Sequence, residues 1–433
     1  MDRLTELIKK DMKPALGVTE PGAIAFAVAA AKEHTQGEIL KVKVSLNSGM
    51  YKNAFTCGIP NSGYFGNLYA AALGAVAAKA GLGLESLAHI TEEDNRKAAA
   101  MVDAGRVEVV MDHVGSRISI DAEVVTERDS VTVRIRDSHT GIVGIEKNGE
   151  AVSSGVFTGT EEAAGTAKTA GEDDVPLIHR YTVRELLEYA ARVPEKEISF
   201  IREAFSMNME LLEEGIHSER AVITRQLLRE NNNQIISADA LRTAQLLCNG
   251  AIEARVLGLN RPAMSITGSG AHGIIATMPL FAWFQVHYGE VGDVKLLRAT
   301  ALSYLITMYI KEYSGKLSAF CGCGIAAGCG MACGLAFLRG ADEPQVGLVI
   351  RNMASGLTGM ICDGGNHGCT MKGIVAVDAA FRAVELAMEG VGIGEIHGIN
   401  GRTPEDTMRH MGLIASPGMV RTEETIVNIM EQK

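Results

Sequence analysis

Runs of basic residues are missing from this 433-residue chain, and so are long apolar ones. Its 41 lysines and arginines are interspersed among 52 aspartates and glutamates, for a formal charge of −11. Such a balance offers no cationic face to a nucleic acid or an anionic membrane, and a small molecule is the expected partner. The longest apolar stretches, AIAFAVAAA (23–31) and IATMPLFAWF (275–284), fall well short of the roughly 20 residues that a bilayer requires. The opening MDRLTELIKKDMKPALG is charged from its second residue and lacks the apolar core of a secretory signal, so a cytoplasmic protein is expected. Cysteine is scarce too, with eight in all, yet six of them lie between residues 321 and 369. In a reducing cytoplasm such crowding favours metal binding or catalysis over disulfides.

With 47% hydrophobic residues the chain can bury a large core in two or three domains. The first 36 residues read as helical, with Thr19 as N-cap of a segment running from Pro21 to Lys32. The period then changes. LKVKVSLN (40–47), RVEVVMDHV (106–114), RISIDAEVVT (117–126) and SVTVRIRDS (130–138) alternate apolar with polar, and IEKNGEAV (145–152) carries an Asn-Gly hairpin turn. These read as a small antiparallel sheet, with an Ala-rich helical insertion near 66–81. SSGVFTGTEEAAGTAKTAGEDD (153–174) has linker composition, and beyond Pro176 the apolar spacing is helical, with no strand signal. The expected fold is therefore α+β: a sheet domain with N-terminal helices over 1–165, then a larger all-helical domain over 166–433 that carries the cysteines.

Glycine-rich breaks interrupt that second half. ITGSGAHGIIATMPLF (266–281) exposes backbone N–H groups ahead of an apolar helix, which suits a carboxylate or phosphate and equally suits a tight helix–helix packing turn. No Walker lysine or preceding strand signal supports a nucleotide. In FCGCGIAAGCGMACG, Cys329 and Cys333 share one face of a small-residue helix and read as core, as do Cys57 and Cys248; Cys323 is assigned to packing as well. Cys321 instead stands at a helix start, and Cys362 and Cys369 bracket the glycine-rich loop of CDGGNHGC. Three such thiols suit an iron–sulfur cluster better than the close Cys pairs of zinc knuckles, although spacing alone leaves zinc or a structural thiol group open.

Six ordered motifs carry a resemblance that spans the chain: KPALGVTEP (13–21), GMYKNAFTCGIPNSG (49–63), TGSGAHGI (267–274), YSGKLSAFCGCGIAAG (313–328), ICDGGNHGCTMK (361–372) and GLIASPGM (412–419). Together they resemble the iron–sulfur-dependent L-serine dehydratase and L-cysteine desulfidase superfamily. The resemblance implies a [4Fe-4S] cluster held by Cys321, Cys362 and Cys369, with one iron open to substrate. It further implies an oxygen-sensitive lyase, independent of pyridoxal phosphate, that eliminates across the α,β bond of a small amino acid. L-cysteine going to pyruvate, ammonia and sulfide is the first expectation, and L-serine dehydration or another amino-acid elimination is the alternative. Desulfidases of the family read PALGCTEP where this chain has Val18, which can neither ligate iron nor act as an acid or base. That departure leaves the fourth iron to water or substrate, or marks a sensor that holds a cluster without turnover; a zinc-stabilised helical protein is the third class.

Residue by residue, the same resemblance implies catalytic roles for Lys52, in a loop after a strand, and for Ser269 and His272, with His272 the preferred base. Thr19, Glu20, Asn53, Gly270, Asn366, His367 and Lys316 are implied in binding substrate or surrounding the cluster. Small-residue helix faces and a hairpin edge point to a homodimer.

Overall fold

The computed structural model describes residues 2–153, 175–315 and 317–433. The 165/166 domain boundary, most of the linker segment and Lys316 lie outside the described residues. The N-terminal part runs α1 (Arg3–Asp11), β1 (Lys13–Leu16), α2 (Thr19–Lys32), β2 (Ile39–Asn47), α3 (Ser48–Ala54), α4 (Gly66–Val76) and α5 (Glu92–Asp103). Five strands follow: β3 (Val107–His113), β4 (Ser119–Thr126), β5 (Ser130–Arg136), β6 (Ile142–Lys147) and β7 (Glu150–Ser153). The β6–β7 hairpin turns through Asn148 (φ 53°) and Gly149 (φ 83°), the left-handed pair that an Asn-Gly turn supplies.

The sheet has the order β3-β2-β4-β5-β6-β7. Its β2–β3 pair is parallel, so the sheet is mixed rather than purely antiparallel. Alternation fixes which residues face inward but not strand direction; α3, α4 and α5 supply the crossover that a parallel neighbour needs. Val44, Ala122, Val133 and Ile145 align in one row across four strands and are buried. Helix α2 packs against β4 and β5, and α4 against β2 and β3. The opposite face carries charges such as Arg134 and Arg136, paired with Glu146 and Asp121.

The remainder comprises α6 (Val183–Arg192), α7 (Glu195–Ile198), α8 (Arg202–His217), α9 (Val222–Glu230), α10 (Ala240–Val256), β8 (Pro262–Ser265), α11 (Gly270–Val286), α12 (Asp293–Ser314), α13 (Gly328–Leu338), α14 (Glu343–Leu357), α15 (Gly368–Met388), α16 (Pro404–Leu413) and α17 (Val420–Glu431). Strand β8 corrects the all-helical expectation. It pairs antiparallel with β1, Lys13 opposite Ser265 and Leu16 opposite Pro262, and so ties the N-terminal segment to the helical body. Helices α11 and α13 are apolar all round and must be surrounded: α11 packs on α10, α12 and α13, and α13 on α12, α14 and α15. Small residues permit the closest of these contacts, since a Cβ on Gly330 would stand 2.3 Å from Ser303 O.

Candidate active site

Backbone hydrogen bonds join the two cysteine turns. Phe320 and Ile361 form an isolated antiparallel bridge. Beside it Cys321 N donates to Met360 O (3.1 Å) and Cys362 N to Ala319 O (2.6 Å). After Cys362 the loop bends at Gly364, whose φ of 96° favours glycine and whose added Cβ would lie 2.3 Å from Lys52 O. Gly365 N donates to Asn53 O (3.0 Å), and a Cβ on Gly365 would meet Val18 Cγ1 at 2.9 Å. Val18 therefore packs directly on the loop between Cys362 and Cys369. Asn366 closes that loop on itself: its Nδ2 donates to Asp363 O and Gly364 O, and its Oδ1 accepts from Gly368 N. His367 pairs outward with the buried Glu253 on α10. Cys369, in the first turn of α15, donates from Sγ to Gly364 O (3.4 Å).

Lys52 lies in α3 and is buried, not in an exposed loop. Its Nζ donates to Ser318 O (3.0 Å), Cys362 O (2.9 Å) and Glu423 Oε2 of α17 (2.6 Å). A lysine has three donors, and these contacts use them all. Lys52 thus braces both cysteine turns rather than facing a reactant.

A cavity of about 1030 Å³ lies among the N-terminal helices, the sheet and the helical body. Cys321, Cys323, Cys362 and Cys369 line it, together with Val18, Thr19, Glu20, Asn53, Ser269 and His272. Lys52, Gly270, Asn366 and His367 do not. Cys323 departs from its packing assignment by reaching this surface, whereas Cys57, Cys248, Cys329 and Cys333 are buried in the core as expected. Val18 occupies the N-cap position of α2, without a side-chain cap, and Thr19 is the first helical residue. Thr19 Oγ1 instead donates to Glu20 Oε2 (3.1 Å).

The cavity is strongly polarised. Burial works to raise the Glu20 carboxyl, but His139, the Asn53 amide and the Arg255 charge outweigh it and hold the group at about 2. Asn53 Nδ2 donates to Glu20 Oε1 (2.9 Å), and His139 Nε2 stands 3.8 Å from the same oxygen. His139 belongs to the β5–β6 turn, so the sheet reaches the cavity through that turn. Burial, then the charges of Lys311 and Arg255, push His272 well below the usual imidazole range and keep it neutral. The Thr267 hydroxyl donates to Ile266 O (2.7 Å), so it accepts from His272 Nδ1, 2.6 Å away. Nδ1 then carries the proton and Nε2 keeps its lone pair. Nε2 faces Gly322, where a Cβ would intrude to 2.6 Å.

Cys321, Cys362 and Cys369 lie within one another's electrostatic reach. The neighbouring Cys323 lowers the Cys321 thiol, whereas burial raises Cys362 and Cys369. Cations surround them. Lys372 pairs with Asp363 and acts on all three thiols, and Lys311 feels Cys321, Cys323 and Cys362. Among the described residues no three His, Cys, Asp or Glu side chains converge on one ion-sized point. Sequence reasoning passed over Arg255, Lys311, Lys372 and His139. For Arg255 and Lys311 the available signal was a charge at a core position of an apolar helix, in EARVLG and SYLITMYIKEY; Lys372 closes the ICDGGNHGCTMK motif, and His139 stands in a turn with no such signal.

An α+β chain with thiols, a neutral imidazole and an ionised carboxylate around one cavity has the build of a small-molecule enzyme. Sequence comparison identifies the family: residues 81–428 match serine dehydratase alpha chain, and the chain belongs to that family. It is 38% identical over 431 residues to a UPF0597 protein of Clostridium botulinum, covering 99% of this chain and 98% of the relative. A UPF0597 protein of Caldanaerobacter subterraneus subsp. tengcongensis is 37% identical over 430 residues, 99% and 98% of the two chains. One of Clostridioides difficile is 32% identical over 426 residues, 98% of each. Family membership supports an amino-acid dehydratase-like function. Among the described residues no helix is long and apolar enough to cross a membrane.

Proposed function

We propose that this chain is an iron–sulfur-dependent lyase that performs α,β-elimination on a small β-substituted amino acid, with L-cysteine as first candidate and L-serine as second. The observation that carries the reading is the meeting of Cys321, Cys362 and Cys369 with Glu20 and His272 around one cavity. The donor set fits a [4Fe-4S] cluster: three thiols within mutual reach, compensated by Lys311 and Lys372 and reached by the Gly324 N–H, 3.5 Å from Cys321 Sγ. When bound, such a cluster supplies a Lewis-acidic iron that polarises the β leaving group.

The chain's own residues handle the rest. Glu20, ionised and steadied by Asn53 and Thr19, takes the substrate ammonium. His272 Nε2 accepts the α proton; the Cα–H electrons form the double bond while the β substituent leaves with its own pair. The released aminoacrylate hydrolyses to pyruvate and ammonia. With its protons already engaged, Lys52 gives way to His272 as the base. Apolar lining from Val18, Leu317 and Phe320 limits water around the reacting carbon.

The test is release of sulfide, ammonia and pyruvate from anaerobically reconstituted protein given L-cysteine and L-serine in parallel. Sulfide from cysteine supports the reading and shows that Val18 does not block desulfidase chemistry. Release from serine alone assigns the dehydratase alternative. Iron bound without turnover of either points to another β-substituted substrate or to the sensor reading, for which Val18 is the favouring feature, and a colourless zinc-loaded protein sinks the cluster assignment.

A further inference from the structure

One buried cation of the cavity, Arg255, takes no part in the elimination chemistry proposed above. Arg255, in the last turn of α10, is 5% exposed, lines the cavity, and buries its Nε without a hydrogen-bond partner. Buried guanidinium donors are normally satisfied, and an open one beside a cavity calls for an acceptor from outside the chain. Two other buried or half-buried cations of the cavity are engaged, Lys372 with Asp363 and Lys311 with Gly315 O (2.7 Å). We propose that Arg255 binds the α-carboxylate of the substrate, and that Arg255 and Glu20 together read the amino acid as a zwitterion.

Two further features support this. Helix α11 is 17 residues long and begins against the guanidinium: a Cβ on Gly270 would lie 2.7 Å from Arg255 Nε. Ser269, ahead of that helix, forms no side-chain cap, so the first-turn N–H groups and the positive helix end stay available to the same anion. Glu20 lines the same cavity and feels the charge of Arg255, while its own contacts are Asn53, Thr19 and His139. Both charges line the one cavity, and a bound zwitterion calls for one group of each sign. A guanidinium matches a carboxylate through two parallel hydrogen bonds, which an ammonium cannot reproduce.

The proposal rests on the amino-acid reading above, and its test separates the two. L-alanine carries both charged ends and no leaving group; L-alaninamide lacks the carboxylate. Both are titrated calorimetrically into the full chain, cluster-free and anaerobically reconstituted. The wild type is expected to bind L-alanine, and Arg255→Met to weaken that binding by about 10- to 100-fold, the loss of a charge-assisted pair. Binding of L-alaninamide stays unchanged, and Arg255→Lys restores part of the L-alanine affinity. In turnover KM rises by a larger factor than kcat falls. Unchanged L-alanine binding in Arg255→Met overturns the proposal, as does equal loss of both ligands or no L-alanine binding to either form of the wild type. Arg255-dependent binding without elimination from any amino acid leaves the carboxylate site standing and removes the lyase. Elimination with an unchanged KM in Arg255→Met does the reverse.

Discussion

Glu20 keeps its charge in a buried setting because His139, Asn53 and Arg255 offset the burial that would neutralise it. Its folded value of about 2 lies below the ordinary 4.5, so it stabilises the fold above about pH 4.5, and that contribution drains away as pH falls towards 2. The contribution is on the order of 3 kcal/mol. Denaturant titrations at pH 7 and pH 3 should show the wild type losing more stability on acidification than Glu20→Gln. His272 makes a second prediction. A base with a lowered pKa stays active as pH falls, so kcat/KM should remain flat to below pH 6.5, the ordinary histidine value. His272→Gln should cost about 10²- to 10⁴-fold in kcat with little change in L-alanine binding. Glu20 and His272 were singled out because they sit in KPALGVTEP and TGSGAHGI, two of the motifs that carry the family resemblance. Arg255 was not, because a lone charge in an apolar helix has no spacing of its own, and only the cavity beside it distinguishes it.

Elements acquire their roles through what packs on them. The α3 segment reads as loop because a seven-residue helix carries little period; α17 and β2 hold it, through contacts far away in sequence. Its Lys52 couples two cysteine turns to α17. Lys52→Met should leave Glu423 buried and unpaired and cost about 3–5 kcal/mol. It should also lower the iron bound per chain, read by metal analysis after anaerobic reconstitution. Pairing it with Glu423→Leu should recover much of the stability but not the iron, because the ties to Ser318 O and Cys362 O remain missing. Recovery of full iron in the double variant would show that the brace acts through stability alone. Strand β8 escaped the sequence for a related reason: four residues show no alternation, and the segment is extended because β1 pairs with it.

The cavity belongs to no single part of the chain. The N-terminal helices bring Glu20 and Asn53, the sheet brings His139, and the helical body brings the thiols, His272 and the cations. The C-terminal helix secures the arrangement from outside, burying Ile426, Val427 and Met430 and meeting Lys52 through Glu423. Removal of residues 420–433 should therefore lower the melting temperature and the iron content together, although none of these residues lines the cavity. Retention of full iron content in the truncated chain would show that the cysteine turns hold without α17.

The alternating strands, the Asn-Gly hairpin and the helical periodicity were determined locally, because each depends on neighbours within a few residues. The three candidate ligand cysteines were singled out on local grounds as well, Cys321 by its place at a helix start and Cys362 and Cys369 by the glycine-rich loop that they bracket. Only the tertiary structure decided the direction of β3, the presence of β8, the bracing role of Lys52 and the outward turn of His367. It alone gathered Arg255, Lys311 and Lys372 around the cavity that the thiols line. These are long-range outcomes. They depend on charges and carbonyls that meet only after the helices have packed, and a buried charge takes its role from the partner it finds there.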